Sequence, residues 1–193
     1  MKGAHVILGV TGSIAAFKAA ELTGKLKKSG AEVTVIMTES AQRFVTPLTF
    51  ETLSGRPVLT DMWNRSPVPE PVHISLAEWA DVLVVAPATA DFLGRLANGM
   101  ADELLSCTAI SIEKPPILAP AMNDAMYRHP AVQQNIATLE KRGCTIVGPV
   151  RGRLASGKTG IGRLSELDDI IRAIRSALRQ KPKLRAKAKR PRK

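Results

Sequence analysis

The stretch His5-Val6-Ile7-Leu8-Gly9-Val10-Thr11-Gly12-Ser13-Ile14 decides the fold. His5 to Val10 is a short apolar run that enters a Gly-containing turn, the pattern of a buried strand followed at once by a helix. From Ile14 to Ser29 the residues Ala15, Ala19, Leu22 and Leu26 share one helical face, and Gly30 suits the position just past a helix end. Such a turn aims backbone N–H groups at whatever sits before the helix, and an anion is favoured there by the donors and by the helix dipole. The Ser13 hydroxyl can add a further donor. The spacing is not the dinucleotide fingerprint, because counting from Gly9 the third glycine is replaced by Ala15. Taken alone, the turn is either a tight connection or a phosphate cradle.

Outward from this unit the alternation continues. Val33 to Met37 reads as a second buried strand, and Thr38-Glu39-Ser40 can cap a helix through Val45. Pro47 stops that helix and Leu48 to Leu53 forms another short one. Residues 64–72 are Pro-rich and read as a loop, and His73 to Glu78 opens a short helix. Val82 to Ala86 is almost purely apolar and belongs at the centre of a sheet. Asp91 to Leu105 reads as one helix, Pro116 to Pro120 as a strand, Val132 to Arg142 as a helix and Thr145 to Val147 as a strand. Arg151 to Arg163, rich in Gly and bases, reads as a mobile loop. Ser165 caps a last amphipathic helix to Leu178, with Ile170, Ile171, Ile174 and Leu178 facing inward. Strands alternating with helices predict a single-domain α/β fold, flavodoxin- or Rossmann-like, with helices on both faces of a parallel sheet. In that architecture ligands bind beyond the carboxyl ends of the strands.

Composition agrees. The 193 residues suit one domain, read as residues 1–180, and the 45% hydrophobic content supports a core. With only 4% aromatics, that core is built from Ala, Val, Ile and Leu, which suits buried parallel strands. The net charge of +11 is local: residues 181–193 hold eight of the 28 bases and no acid, leaving 20 bases against 17 acids in residues 1–180. The segment 181–193 therefore reads as a disordered basic tail rather than a nucleic-acid arm. Cys107 and Cys144 are too few and too far apart for a disulfide scaffold or a zinc site, so no metal is expected. Without a signal-peptide pattern or a membrane-length apolar run, the chain reads as a cytoplasmic protein.

Several side chains could carry chemistry. Thr38, Ser40 and the segment Ala88-Thr89-Ala90-Asp91 fall at strand ends, where small and hydroxyl-bearing residues either cap helices or line a flat ring. His73 follows the Pro-rich loop, and an imidazole with a pKa near about 6.5 can act as acid or base. Pro120-Ala121-Met122-Asn123-Asp124-Ala125-Met126 follows a strand closely. The Asn123 amide there can donate to a carboxylate without adding charge, or it can simply cap a helix.

Jointly these segments resemble the homo-oligomeric flavin-containing cysteine decarboxylases. The resemblance rests on Gly12-Ser13-Ile14-Ala15-Ala16, Phe44-Val45-Thr46-Pro47-Leu48-Thr49-Phe50, His73-Ile74, Ala97-Asn98-Gly99-Met100-Ala101-Asp102, the Pro120 to Met126 motif, and Leu154-Ala155-Ser156-Gly157 with Gly160-Ile161-Gly162-Arg163. The Phe44 to Val58 segment points to the branch that acts on 4′-phosphopantothenoylcysteine in coenzyme A synthesis. The alternative is the lantibiotic branch, which acts on peptide C-terminal cysteines and stops at the enethiol.

The resemblance implies a cytoplasmic lyase with FMN as cofactor, which oxidises the thiol carbon and so opens an electron sink for loss of carbon dioxide. It implies that Gly12, Ser13 and Ile14 hold the flavin phosphate, and that Thr38, Ser40, Ala88, Thr89, Ala90 and Asp91 line the flavin. His73 would be the acid–base residue, Asn123 would hold the substrate carboxylate, and Met126, Ala155, Ser156 and Gly157 would complete the substrate site. The Arg151 to Arg163 loop would close as a clamp, and its bases Arg153, Lys158 and Arg163 would attract a phosphorylated substrate. A trimer or a dodecamer with sites between subunits is implied, together with a phosphopantothenate–cysteine ligase as a separate partner.

Two residues depart from the family pattern. Asp91 stands where Asn is common. Ser156 stands where the coenzyme A enzymes carry a cysteine that gives a proton in the reductive half-reaction; a thiol, with a pKa near about 8.5, is a far better acid than a hydroxyl.

Overall fold

The computed structural model describes residues 1–63 and 71–179. The expected basic tail and most of the Pro-rich loop lie outside the described residues.

Five parallel strands form the sheet: β1 (His5–Val10), β2 (Glu32–Met37), β3 (Val82–Ala88), β4 (Ile117–Pro120) and β5 (Thr145–Ile146), in the order β2-β1-β3-β4-β5. This is the flavodoxin-like order of a Rossmann-type α/β fold. After His5, β1 is apolar and buried because both of its faces are covered. Val6, Leu8 and Val10 pack on one face with α1 (Ala16–Lys28) and α9 (Leu167–Arg179), against Leu22, Leu26, Ile170 and Ile174. Ile7 packs on the other face with α5 (Ala90–Ala97), α6 (Leu104–Ser111) and α8 (Pro130–Lys141), against Phe92, Leu93, Leu105 and Leu139. The two-residue period of a strand thus divides one apolar run between two cores. Fully burying each such side chain contributes roughly 1.5–3 kcal/mol. All seven residues of β3 are buried, as befits the central strand.

The remaining elements correct the sequence reading in four places. The Thr38 cap is real, but its helix α2 (Glu39–Gln42) ends short of Val45, and α3 (Pro47–Ser54) takes Pro47 as its first residue. The helix expected over Asp91 to Leu105 is two helices. Gly99, at φ 71, turns the chain out of α5, and Glu103 starts α6 with a capping box in which it accepts from the Ser106 and Leu105 N–H groups. The Arg151 to Arg163 segment is not an irregular loop but an antiparallel hairpin of β6 (Val150–Arg153) and β7 (Thr159–Arg163). Ser165 does not cap α9; its buried hydroxyl donates to the Val147 carbonyl at 3.1 Å. The short helix α7 (Asp124–Arg128) follows β4 with Asn123 as its N-cap, the capping alternative read from the sequence, and α4 (Val72–Trp79) precedes β3. Among the described residues no helix is long and apolar enough to cross a membrane.

Candidate functional site

The strand order reverses between β1 and β3, the switch point where such sheets leave a crevice beyond the carboxyl ends of the strands. Thr11 ties this crevice together. Its hydroxyl, only 1% exposed, donates to the Pro87 carbonyl at 2.7 Å and accepts from the Thr89 N–H at 3.0 Å. The turn after β1 is thereby locked to the turn after β3.

A cavity of about 470 Å³ opens over this lock, lined by Thr11, Gly12, Thr38, Ser40, Thr89, Ala90, Asp91 and Met126, among others. Gly12 is needed for closeness: a Cβ there would stand 2.4 Å from the Ser40 Cβ, so only glycine lets the first turn lie against the second. Thr38 and Thr89 are helix N-caps, accepting from the Ala41 and Phe92 N–H groups at 3.3 Å each. The capping reading is therefore correct for both, yet each hydroxyl keeps its own proton for a ligand. Ala88 is fully buried in β3 and does not line the cavity.

Asp91 does not hold a free charge over this space. Arg95 Nε donates to its Oδ2 at 3.0 Å, while Arg95 Nη1 grips both oxygens of Asp102 at 2.6 and 2.7 Å. The two carboxylates push the Arg95 guanidinium pKa upward, and Arg95 holds the Asp102 carboxyl below its ordinary value. Beside them, burial raises the Glu103 carboxyl despite the N–H groups it accepts from. Arg95, Asp102 and Glu103 all line the cavity and were not expected to. The signal was available for Arg95, four residues after Asp91 on one helix, where opposite charges meet.

A second cavity, of about 490 Å³, lies on the other side of the Gly12–Ser13 turn. It is lined by Ser13, Ile14 and Phe17 at the start of α1, by Asn123, and by Ala155 and Ser156 of the hairpin. The hairpin is held there by one backbone hydrogen bond and one to a side chain. Met122 N–H donates to the Gly162 carbonyl at 2.9 Å, and Ile161 N–H donates to Asp124 Oδ1 at 3.1 Å. Gly162 sits at φ 151, and a Cβ on it would overlap the Met122 carbonyl at 2.1 Å, so this docking requires glycine. Asn123 caps α7 through its Oδ1, which accepts from the Ala125 N–H at 2.9 Å, and its amide N–H groups stay available to a ligand.

The structure thus distributes the expected residues over two adjoining cavities. Ser13 and Ile14 face the second cavity rather than joining Gly12 in the first, and Met126, 48% exposed, lines the first. Gly157 lines neither. His73, half-buried near the start of α4, also lines neither. Cys107 is buried in α6, and Cys144 is half-buried; burial raises both thiols, which suits structural roles.

A paired-cavity crevice at the switch point of a 2-1-3-4-5 sheet defines a flavodoxin-like α/β ligand-binding protein. The chain belongs to the Flavoprotein family, whose model matches residues 1–179. It is 43% identical over 182 residues to the coenzyme A biosynthesis bifunctional protein CoaBC of Vibrio vulnificus (strain YJ016), covering 94% of this chain and 45% of the relative. With CoaBC of Bacillus subtilis (strain 168) it is 49% identical over 168 residues, covering 87% and 41%. The chain therefore spans less than half the length of these curated relatives. Among solved structures, a cysteine-to-serine mutant of a PPC decarboxylase complexed with pantothenoylaminoethenethiol superposes with a TM-score of 0.81 at 34% identity, covering 91% of this chain and 98% of that one. The FMN-dependent cysteine decarboxylase SpaF superposes at 0.80, also at 34% identity, covering 91% and 95%.

Proposed function

We propose that this chain is an FMN-dependent decarboxylase that removes the cysteine carboxylate of 4′-phosphopantothenoylcysteine and yields 4′-phosphopantetheine. The observation that carries this reading is the docked hairpin, which sets Ala155 and Ser156 in one cavity with Asn123, directly across the Gly12–Ser13 turn from a second, hydroxyl-lined cavity. The likeness to a PPC decarboxylase over nearly its whole length supports the substrate. The close approach of Gly12 to Ser40, with the spare hydroxyl protons of Thr38 and Thr89, fits the first cavity to FMN.

FMN, when bound, supplies the reversible two-electron oxidation of the thiol carbon that makes the carboxylate labile. The protein's own contribution is placement and proton transfer. Asn123 donates its amide N–H to the substrate carboxylate, holding it without adding a charge that would favour retention of the carboxylate. The hairpin carrying Ser156 covers the cavity and limits water. His73 moves a proton from or to the thiol at the site of a neighbouring copy, since it lines neither of these two cavities of its own chain, and the active assembly is accordingly a homo-oligomer of trimeric units. The bifunctional naming of the curated relatives supports a ligase partner that makes the substrate, and the setting is cytoplasmic.

The mass of the product formed from 4′-phosphopantothenoylcysteine tests this function. Loss of carbon dioxide alone is expected. Loss of carbon dioxide plus two hydrogens would mean that Ser156 does not support the return of electrons and that the reaction ends at the enethiol. An unchanged substrate would overturn the assignment.

A further inference from the structure

Free positive charge is unevenly placed between the two cavities. The first is lined by Glu39, Asp91, Asp102 and Glu103 against one base, Arg95, and that base is already held by Asp91 and Asp102. The second is lined by three bases, Lys18, Arg153 and Arg163, and by no acid. Arg163 is engaged by Glu166, but neither Lys18 nor Arg153 has a carboxylate partner among the described residues. Lys158, expected from the sequence to share this role, does not line the cavity. Lys18, in the first turn of α1, was not expected, although it lies four residues after Ile14 and lines the same cavity. The rest of the lining is largely apolar, with Ile14 and Phe17 58% and 59% exposed.

From this arrangement we infer that Lys18 and Arg153 form the subsite for the phosphomonoester end of the substrate, in the same cavity where Asn123 and Ser156 receive its cysteine end. The inference rests on the function proposed above and adds the residues that select a phosphorylated substrate. In the first cavity a dianion meets only hydroxyl and backbone donors, as the FMN phosphate would, and no unengaged cation. In the second it meets two unpaired cations, one of them a guanidinium that can bind two phosphate oxygens at once. The apolar lining suits the pantoyl arm of the same molecule. Phosphate is also carried by FMN, and the two sources are separated by where the loss of a cation is felt.

The test compares the parent with Lys18→Met and Arg153→Met, each as the FMN-loaded full chain, by calorimetric binding of pantetheine and of its 4′-phosphate. FMN affinity is measured alongside by fluorescence quenching. Each substitution removes one charge-assisted contact and is expected to weaken 4′-phosphate binding by about 10- to 100-fold. Pantetheine and FMN affinities are expected to stay unchanged. Equal weakening for both pantetheines, or no weakening for the phosphate, overturns the subsite. A loss confined to FMN affinity overturns it in favour of a cofactor-phosphate role. Binding does not depend on turnover, so phosphate-selective binding in a protein that leaves 4′-phosphopantothenoylcysteine unchanged would sink the decarboxylase assignment while supporting the subsite.

Discussion

Replacing Gly12 with alanine would place a methyl carbon 2.4 Å from the Ser40 Cβ and 3.2 Å from the Ser40 carbonyl carbon. Carbon atoms in contact sit about 3.5–4.0 Å apart, so the two turns must separate by roughly an ångström or more. Gly12 does not have a positive φ, so alanine suits the backbone and the penalty is steric alone. Both turns are anchored, one through Thr11 to β3 and the other through the Thr38 cap of α2, and neither can yield freely. Overpacking of this kind costs about 1–3 kcal/mol. If all of it falls on the cofactor, FMN binding weakens by about 5- to 150-fold. If it falls on the fold, the cofactor-free protein loses about 2–4 °C of Tm for each kcal/mol.

Ser40→Gly supplies the internal control. It removes the nearest clashing atom and leaves 3.2 Å as the closest approach, so the Gly12→Ala/Ser40→Gly double variant should recover most of the loss. FMN fluorescence quenching and thermal melting of the cofactor-free protein measure both shares. A Gly12→Ala protein with the parent's flavin Kd and Tm would refute the reasoning. So would a double variant as impaired as the single one.

Two further outcomes follow from buried polar groups. Thr11→Val keeps the shape but strips the Pro87 carbonyl and the Thr89 N–H of their buried partner, and should cost about 2–4 kcal/mol in urea unfolding; a change under about 0.5 kcal/mol would mean that the hydroxyl does not lock the turns. Glu103 has a folded pKa raised by burial, so the native state binds the extra proton and stability falls as pH rises from the ordinary glutamate value through the raised one. Glu103→Gln keeps a capping oxygen without ionising, so it should gain stability relative to the parent across that window; a pH-independent difference between the two would contradict this.

The parts of the site that lie within one strand–turn–helix unit were legible from residues alone. The Gly12 turn, the Thr38 cap and the segment Thr89 to Asp91 all fall at the carboxyl ends of strands, because apolar runs and capping residues act over a few positions. Where apolar residues continued past a local signal, the reading failed. Asp91 to Leu105 looked like one helix because its apolar spacing runs through, while Gly99 and the Glu103 capping box divide it. The hairpin at Val150–Arg163 showed no alternation, since its register comes from pairing with itself and its position from contacts to Met122 and Asp124.

By itself, then, the sequence determined the parallel α/β class, the first turn and the chemistry of the candidate residues, because strand and helix periods and capping groups are local properties. Only the tertiary structure decided that these residues belong to two cavities rather than one, and that Asp91 shares Arg95 with Asp102. It also decided that Lys18 joins Arg153 and that His73 stands apart from both cavities. Those outcomes depend on which strand ends become neighbours at the switch point and on the backbone bonds that dock the hairpin. Such long-range pairings leave no period in the chain for a sequence reading to detect.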